Sequence, residues 1–171
     1  MPEGPLVLWL PDSAATEQFG RALADAFPGL SQGCLVVFLR GELGAGKTTL
    51  VRGFLRGMGV SGTVRSPTYT LIEVYAAGGL QCVHADLYRL RDAMELEELG
   101  VRDFLAPGHV LLIEWPERGG QRLPPADLEV GLEYAGDARK ATVRAAGDTG
   151  IVWLTNLGHD TRIAAYLSNL T

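Results

Sequence analysis

The run Cys34-Leu35-Val36-Val37-Phe38-Leu39-Arg40, followed at once by Gly41-Glu42-Leu43-Gly44-Ala45-Gly46-Lys47-Thr48, decides how this chain is read. The first six residues are apolar and rich in β-branched and aromatic side chains, the composition of a strand buried on both faces of a parallel sheet. The eight from Gly41 match G-x-x-x-x-G-K-[ST] in full. Their glycines let the backbone curl until successive N–H groups converge on phosphate oxygens. The helix expected from Lys47 to Met58 points its positive dipole end at the same place. Lys47 would reach the β- and γ-phosphates, and the Thr48 hydroxyl would ligate Mg²⁺. A buried strand before the motif and a helix after it are the context this chemistry requires, so the chain is read as binding a nucleoside triphosphate.

A loop of this kind works with a carboxylate at the end of a neighbouring strand, and two acids qualify. Glu114 closes Val110-Leu111-Leu112-Ile113-Glu114, four apolar residues and then an acid; Asp86 closes Cys82-Val83-His84-Ala85-Asp86, a poorer strand. On pattern alone Glu114 is preferred. Both can serve if one holds Mg²⁺ and the other orients water, and the division of roles stays open. A guanine-specific enzyme would carry N-K-x-D and a D-x-x-G loop, but Asp86 is followed by Leu87, Tyr88 and Arg89. ATP, with ADP as its product, is therefore favoured.

The 171 residues suit one P-loop domain spanning positions 1–171, and 47% hydrophobic with 20% charged residues is a globular composition. The longest apolar run, Cys34 to Leu39, is far short of the roughly 20 residues that span a bilayer, which excludes a transmembrane helix. No Lys or Arg precedes Arg21 and the apolar stretch Leu6–Leu10 ends at Pro11, so no signal peptide is read and the cytoplasm is expected. Cys34 and Cys82 lack metal-ligand spacing and read as small buried hydrophobes. Fifteen basic against twenty acidic residues give a net charge of -5. A chain that binds nucleic acid by itself normally shows a basic excess, so a nucleic-acid role is expected to run through a partner. The 22 glycines are above the usual share of about 7%, and some of the excess falls in the phosphate loop.

Along the rest of the chain, residues 13–27 place Phe19, Ala22, Leu23, Ala26 and Phe27 on one helical face, with Asp12 or Ser13 as N-cap. Residues 60–68 read as a glycine-rich loop, 70–75 and 80–86 as strands about a Gly78-Gly79 turn, and the stretch from Arg91 as helical. Residues 127–134, 138–146 and 150–155 read as an antiparallel strand series, and 159–170 as a final amphipathic helix. The expected architecture is α/β, a P-loop NTPase-like three-layer fold whose mainly parallel central sheet is extended by antiparallel strands. His84, His109 and His159 show no ligand spacing and receive no role.

The P-loop is followed in order by Ser66-Pro67-Thr68-Tyr69-Thr70-Leu71, by His84-Ala85-Asp86-Leu87-Tyr88-Arg89-Leu90 and by Ile113-Glu114-Trp115. With these motifs the chain resembles the TsaE (YjeE) family, small bacterial ATPases of the machinery that makes N6-threonylcarbamoyladenosine in tRNA next to the anticodon. The resemblance runs from about Leu10 to Arg139. It implies that Gly44, Ala45, Gly46, Lys47, Thr48 and Thr49 form the phosphate cradle with Gly41 at its entry, and that Thr48 ligates Mg²⁺. It implies a switch-like loop at 66–69, in which the Thr68 hydroxyl senses the γ-phosphate. Asp86 resembles the family's metal-side acid, and Glu114 with Trp115 its acid and aromatic pair near the metal. Asp12, Ser13 and Arg139 match the family's N-terminal loop and late-strand arginine beside the nucleotide. The resemblance also implies TsaD and TsaB as protein partners, with tRNA reached only through that complex.

The activity expected on these grounds is slow Mg²⁺-dependent ATP hydrolysis. Water attacks the γ-phosphoryl group in line, oriented by Glu114 or Asp86, while Lys47, Mg²⁺ and the loop amides stabilise the charge on its oxygens. Arg52, Arg56, Arg65 and Arg89 are candidate arginine fingers, and a partner could supply one in trans. The alternatives are a small-molecule kinase on the same core, which would need an acceptor pocket and an arginine-bearing lid, and a nucleotide-dependent interaction module in which hydrolysis is incidental.

Overall fold

The computed structural model describes residues 4–30 and 33–168. Leu35–Gly41 forms strand β2, with Val110–Glu114 inside strand β5 (His109–Glu114) beside it and Leu128–Ala135 (β6) on its other edge, both parallel to it. Leu80–Asp86 (β4) runs parallel to β5. The four central strands β6, β2, β5 and β4 are thus parallel, as the apolar runs of β2 and β5 lead one to expect for those two. Antiparallel strands lie outside them. Ile72–Ala77 (β3) pairs with β4, while Ala138–Ala145 (β7) pairs with β6 and with Leu6–Leu10 (β1). The sheet of the described residues has the order β1-β7-β6-β2-β5-β4-β3.

Alternation along β2 splits the core into two layers. Leu35, Val37 and Leu39 belong to the cluster beneath helices α1 (Ser13–Asp25), α2 (Lys47–Gly57) and α4 (Gly147–Gly158); Val36 joins the opposite cluster, under the short helix α3 (Glu95–Glu98) and the single turn at Val101–Phe104. Helices α1 and α2 pack closely because glycines meet at their crossing. A Cβ on Gly20 would fall 2.2 Å from the Leu50 carbonyl oxygen, and one on Gly53 would fall 2.0 Å from that of Glu17. Helix α1 begins where Asp12 accepts the Ala15 N–H at 2.8 Å, so of the two candidate caps Asp12 performs the capping.

Three expectations are corrected. Residues 150–155 are not a strand but part of α4. The run Ile151-Val152-Trp153-Leu154 has strand composition, yet burial falls on Gly150, Trp153, Leu154 and Leu157, the helical spacing, while Val152 is half exposed. Packing overrides propensity here, because the fully buried Trp153 fills the space beside Phe27 and Phe54 and donates its indole N–H to the Leu23 carbonyl at 2.9 Å. The final helix over 159–170 is replaced by turns and one 3-10 turn at Ala164–Tyr166, and Ser168 N–H bonds to Val7 O; Asn169 and Leu170 lie outside the described residues. Also, β6 is antiparallel to β7 but parallel to β2, so it closes the parallel part of the sheet.

No helix among the described residues is long and apolar enough to cross a membrane. Cys82 is buried, which pushes its thiol up to about 11.

Candidate functional site

The turn from β2 into α2 wraps a cradle at the carboxyl ends of the parallel strands, the edge where open α/β sheets bind ligands. Gly46 precedes α2 at φ 108°, and Gly41 leaves β2 at φ 147°, where a Cβ would lie 2.5 Å from the Leu132 carbonyl oxygen. Both positions therefore exclude larger residues. No side chain caps the first turn of α2 and no acid lies within it, so its backbone N–H groups are left for an anion.

Lys47 is buried at 4% exposure beneath this loop. Its Nζ donates to the carbonyls of Gly41 at 2.5 Å and Glu42 at 3.0 Å and lies 4.4 Å from the centre of the Trp115 ring. Burial lowers the lysine's pKa, while Glu114, Asp86 and Glu117 act in the opposite direction. Trp115 adopts the left-handed conformation at φ 56°, sparsely populated for a non-glycine residue, and this turn carries the chain from β5 across the ammonium group.

The adjacent Thr48 donates its hydroxyl hydrogen to Glu114 Oε1 at 2.9 Å. Glu114 is 3% exposed, and its Oε1 also lies 2.8 Å from His84 Nε2. Asp86 is the register partner of Glu114 across β4 and β5, so the two acids end neighbouring strands at one level. Its Oδ1 accepts the Tyr88 N–H at 3.0 Å. Burial raises the Asp86 pKa, Tyr88 lowers it, and Glu114 adds to the rise. Thr48, Glu114 and Asp86 form an oxygen-only set of one hydroxyl and two carboxylates. That set suits a hard cation such as Mg²⁺, which binds through one or two carboxylates and completes its shell with phosphate oxygens and water.

Two clefts flank the P-loop. The first, of about 390 Å³, brings together Gly44, Gly46, Lys47, Thr48, Thr49, Thr68, Asp86, Glu114 and Trp115, with Ser66, Tyr88 and Arg89 on its walls. Ser66 and Thr68 are joined hydroxyl to hydroxyl at 2.8 Å. Of the candidate arginine fingers, Arg89 lines this cleft and stacks over Tyr69 at 4.8 Å, whereas Arg56 is tied to the carbonyls of Val60 and Gly62. The second cleft, on the other side of the loop, is lined by Asp12, Ser13, Thr16, Gly44, Ala45, Gly46, Thr49, Asp137 and Arg139. Arg139 stacks on Tyr134 at 4.2 Å, and the Tyr134 hydroxyl donates to the Leu43 carbonyl at 2.8 Å, so the β6–β7 hairpin is fastened to the P-loop. The residues expected to bind nucleotide and metal all lie in one of these clefts except Gly41, which bonds to Lys47 from behind, whereas Arg52, Arg56 and Arg65 of the candidate fingers line neither.

Sequence reading missed His84 at the site. The signal was the H-x-D spacing, since residues two apart on a strand share a face and a histidine two before a strand-end acid points the same way. It also missed Tyr134, whose contact with Leu43 spans 91 positions and has no local signature.

The family described as "Threonylcarbamoyl adenosine biosynthesis protein TsaE" matches residues 10–142. The chain is 44% identical over 146 residues to the tRNA threonylcarbamoyladenosine biosynthesis protein TsaE of Haemophilus influenzae, covering 85% of this chain and 92% of that protein. It is 40% identical over 114 residues to the protein of that name from Bacillus subtilis, covering 66% of this chain and 71% of the other. The fold superimposes on the crystal structure of Bacillus subtilis YdiB with a TM-score of 0.75 at 30% sequence identity, over 90% of this chain and 94% of that one. A P-loop running into α2, two strand-end acids facing it, and relatives alike in sequence and in fold lead to one assignment: the chain belongs to the TsaE family.

Proposed function

We propose that this chain is a Mg²⁺-dependent ATPase that serves the formation of threonylcarbamoyladenosine in tRNA, working with TsaD and TsaB and reaching tRNA through them. The observation that carries the reading is the hydrogen bond from Thr48 to Glu114 at the mouth of the first cleft, with Lys47 and Asp86 beside it. It joins the P-loop hydroxyl to a strand-end carboxylate, the pairing that P-loop hydrolases use to hold a metal against the β- and γ-phosphates.

Each side chain then has a task. The N–H groups at the start of α2 and Lys47 bind the phosphates. To do so, Lys47 exchanges its bonds to Gly41 and Glu42 for phosphate oxygens, at little cost because all are charge-assisted contacts of one ammonium group. Thr48 and Glu114 hold Mg²⁺, which when bound neutralises charge on the transferring phosphoryl group. Asp86 stands one strand farther from the P-loop and is half-buried, with the Tyr88 N–H on its carboxylate and Ser66 and Thr68 lining the same cleft; it orients the attacking water. Thr68 reports the γ-phosphate, and Arg89 is the arginine best placed to meet charge on it. In the second cleft Asp12, Ser13 and Arg139 contact the nucleoside end.

The net charge of -5 supports action on tRNA through protein partners. The test is tRNA modification reconstituted with TsaD, TsaB, tRNA and a source of threonylcarbamoyl-adenylate. The wild-type chain is expected to support repeated turnover with release of inorganic phosphate, and Lys47→Ala to abolish nucleotide dependence. Stoichiometric transfer of phosphate to a small acceptor would instead establish a kinase, and repeated turnover by a chain unable to hydrolyse ATP would establish an interaction module.

A further inference from the structure

Behind the first cleft lies a buried polar side chain that the mechanism above leaves unused. His84 lies on β4, two residues before Asp86 on the same face, and its ring is fully buried. Its Nε2 is 2.8 Å from Glu114 Oε1, the same oxygen that accepts the Thr48 hydroxyl at 2.9 Å. A carboxylate oxygen only accepts, so the ring hydrogen resides on Nε2. In the neutral ring Nδ1 is then a bare acceptor, and it has no partner among the described residues. An unpaired buried acceptor costs free energy that a leucine in the same space would not incur. Packing therefore does not account for an imidazole at this position, whereas the bond to Glu114 does.

We propose that His84 is a positioning residue for Glu114: its Nε2–H anchors Oε1 together with Thr48, holding the carboxylate in the orientation that presents it to metal and nucleotide. Three elements meet on that one oxygen, α2 through Thr48, β4 through His84 and β5 through Glu114 itself. Such partners behind a metal-binding carboxylate set its direction and the metal's affinity without touching either metal or substrate. The proposal rests on the reading of the cleft as a Mg²⁺–nucleotide site.

The experiment compares His84→Gln, whose amide nitrogen falls near the position of Nε2, with His84→Asn, whose donor stops short of it, and His84→Leu, which has none. Binding of a fluorescent non-hydrolysable ATP analogue is titrated with Mg²⁺ present and with EDTA. His84→Asn and His84→Leu are expected to lose on the order of 10- to 100-fold of the Mg²⁺-dependent affinity while keeping the metal-free affinity, and His84→Gln to recover most of the loss. Full Mg²⁺ enhancement in the Asn and Leu variants, or an equal loss in the Gln variant, overturns the proposal. A second measurement needs no variant: ¹⁵N NMR of histidine-labelled wild-type protein should show the Nε2–H tautomer for His84, and an Nδ1–H tautomer overturns the proposal even if every variant unfolds. If the wild-type chain itself shows no Mg²⁺ enhancement, the reading of the cleft falls, and the tautomer alone then decides whether His84 holds Glu114.

Discussion

The two clefts beside the P-loop share Gly44, Gly46 and Thr49 yet are built from different materials. The first is walled by the ends of parallel strands β4 and β5, and its buried acid Glu114 is held by Thr48 and His84 at under 3 Å. The second is walled by the start of α1 and the β6–β7 hairpin, and its side chains satisfy one another locally: Asp12 caps its own helix, and Arg139 bonds to the carbonyls of Asp137 and Ala138. Groups that must meet a developing charge are placed on rigid, desolvated strand ends, where electrostatic contacts are strongest. Groups that need only add affinity can sit on a cap and a hairpin. The contrast predicts that rate depends on the first cleft, whereas the second contributes to binding alone.

The strongest way to break that division is Asp86→Asn, which removes the water-orienting carboxylate and leaves the Thr48–Glu114 pair in place. Phosphate release is expected to fall about 10²–10⁴-fold with nucleotide affinity nearly unchanged, as measured by single-turnover hydrolysis beside equilibrium binding. A large loss of affinity with an intact rate would reverse the assignment of the clefts. Next in size is Gly53→Ala. A methyl group there meets the Glu17 carbonyl, so α1 must move away from α2, which widens the second cleft and leaves the bond between Thr48 and Glu114 in place. Chemical denaturation should show a loss of about 1–3 kcal/mol, and the KM for ATP should rise more than kcat falls. Smaller still is Arg139→Ala, for which isothermal titration should give about tenfold weaker nucleotide binding, or roughly 1.4 kcal/mol, at constant kcat.

The smallest effect serves as a control remote from both clefts. Arg162 pairs with Asp160 and, at 2.6 Å, with Asp25 near the end of α1, tying the C-terminal turns to that helix. The Arg162 side chain holds the Asp160 carboxyl below the usual range of aspartate. A depressed carboxyl pKa stabilises the fold above the unfolded value, about 3.9, and that contribution is lost as pH falls through the folded value. Urea midpoints of the wild type and Asp160→Asn should therefore differ by less than about 1 kcal/mol at pH 7 and converge in acid, because Arg162 is substantially exposed. Hydrolysis and binding should be untouched at neutral pH.

Legibility in the sequence followed the range of the interactions. The β2–P-loop–α2 unit was readable because its signals are local: an apolar run, glycines at positions of positive φ, and a helix whose first turn is free. The acids were readable as strand ends. Their level placement was not, since Asp86 and Glu114 align only through β4–β5 pairing, 28 positions apart along the chain. Residues 150–155 misled because Ile, Val and Trp favour strands in isolation, whereas the pocket for Trp153 is made by α1 and α2, far away in sequence. His84 has no legible role in the sequence, because a single histidine carries no meaning until a partner 30 residues away reaches it.

By itself, then, the sequence determined that a phosphate-binding loop joins a buried strand to a helix, that two strand-end acids are available, and which family the motifs resemble. Each of these is set by side-chain type and spacing within a few residues, which backbone geometry translates directly. Only the tertiary structure decided which acid meets Thr48, that His84 stands behind it, and that Asp12 and Arg139 share a cleft. Those relations depend on the sheet order β7-β6-β2-β5-β4, which brings segments distant in the chain to one edge. A contact of that kind has no local spacing to reveal it.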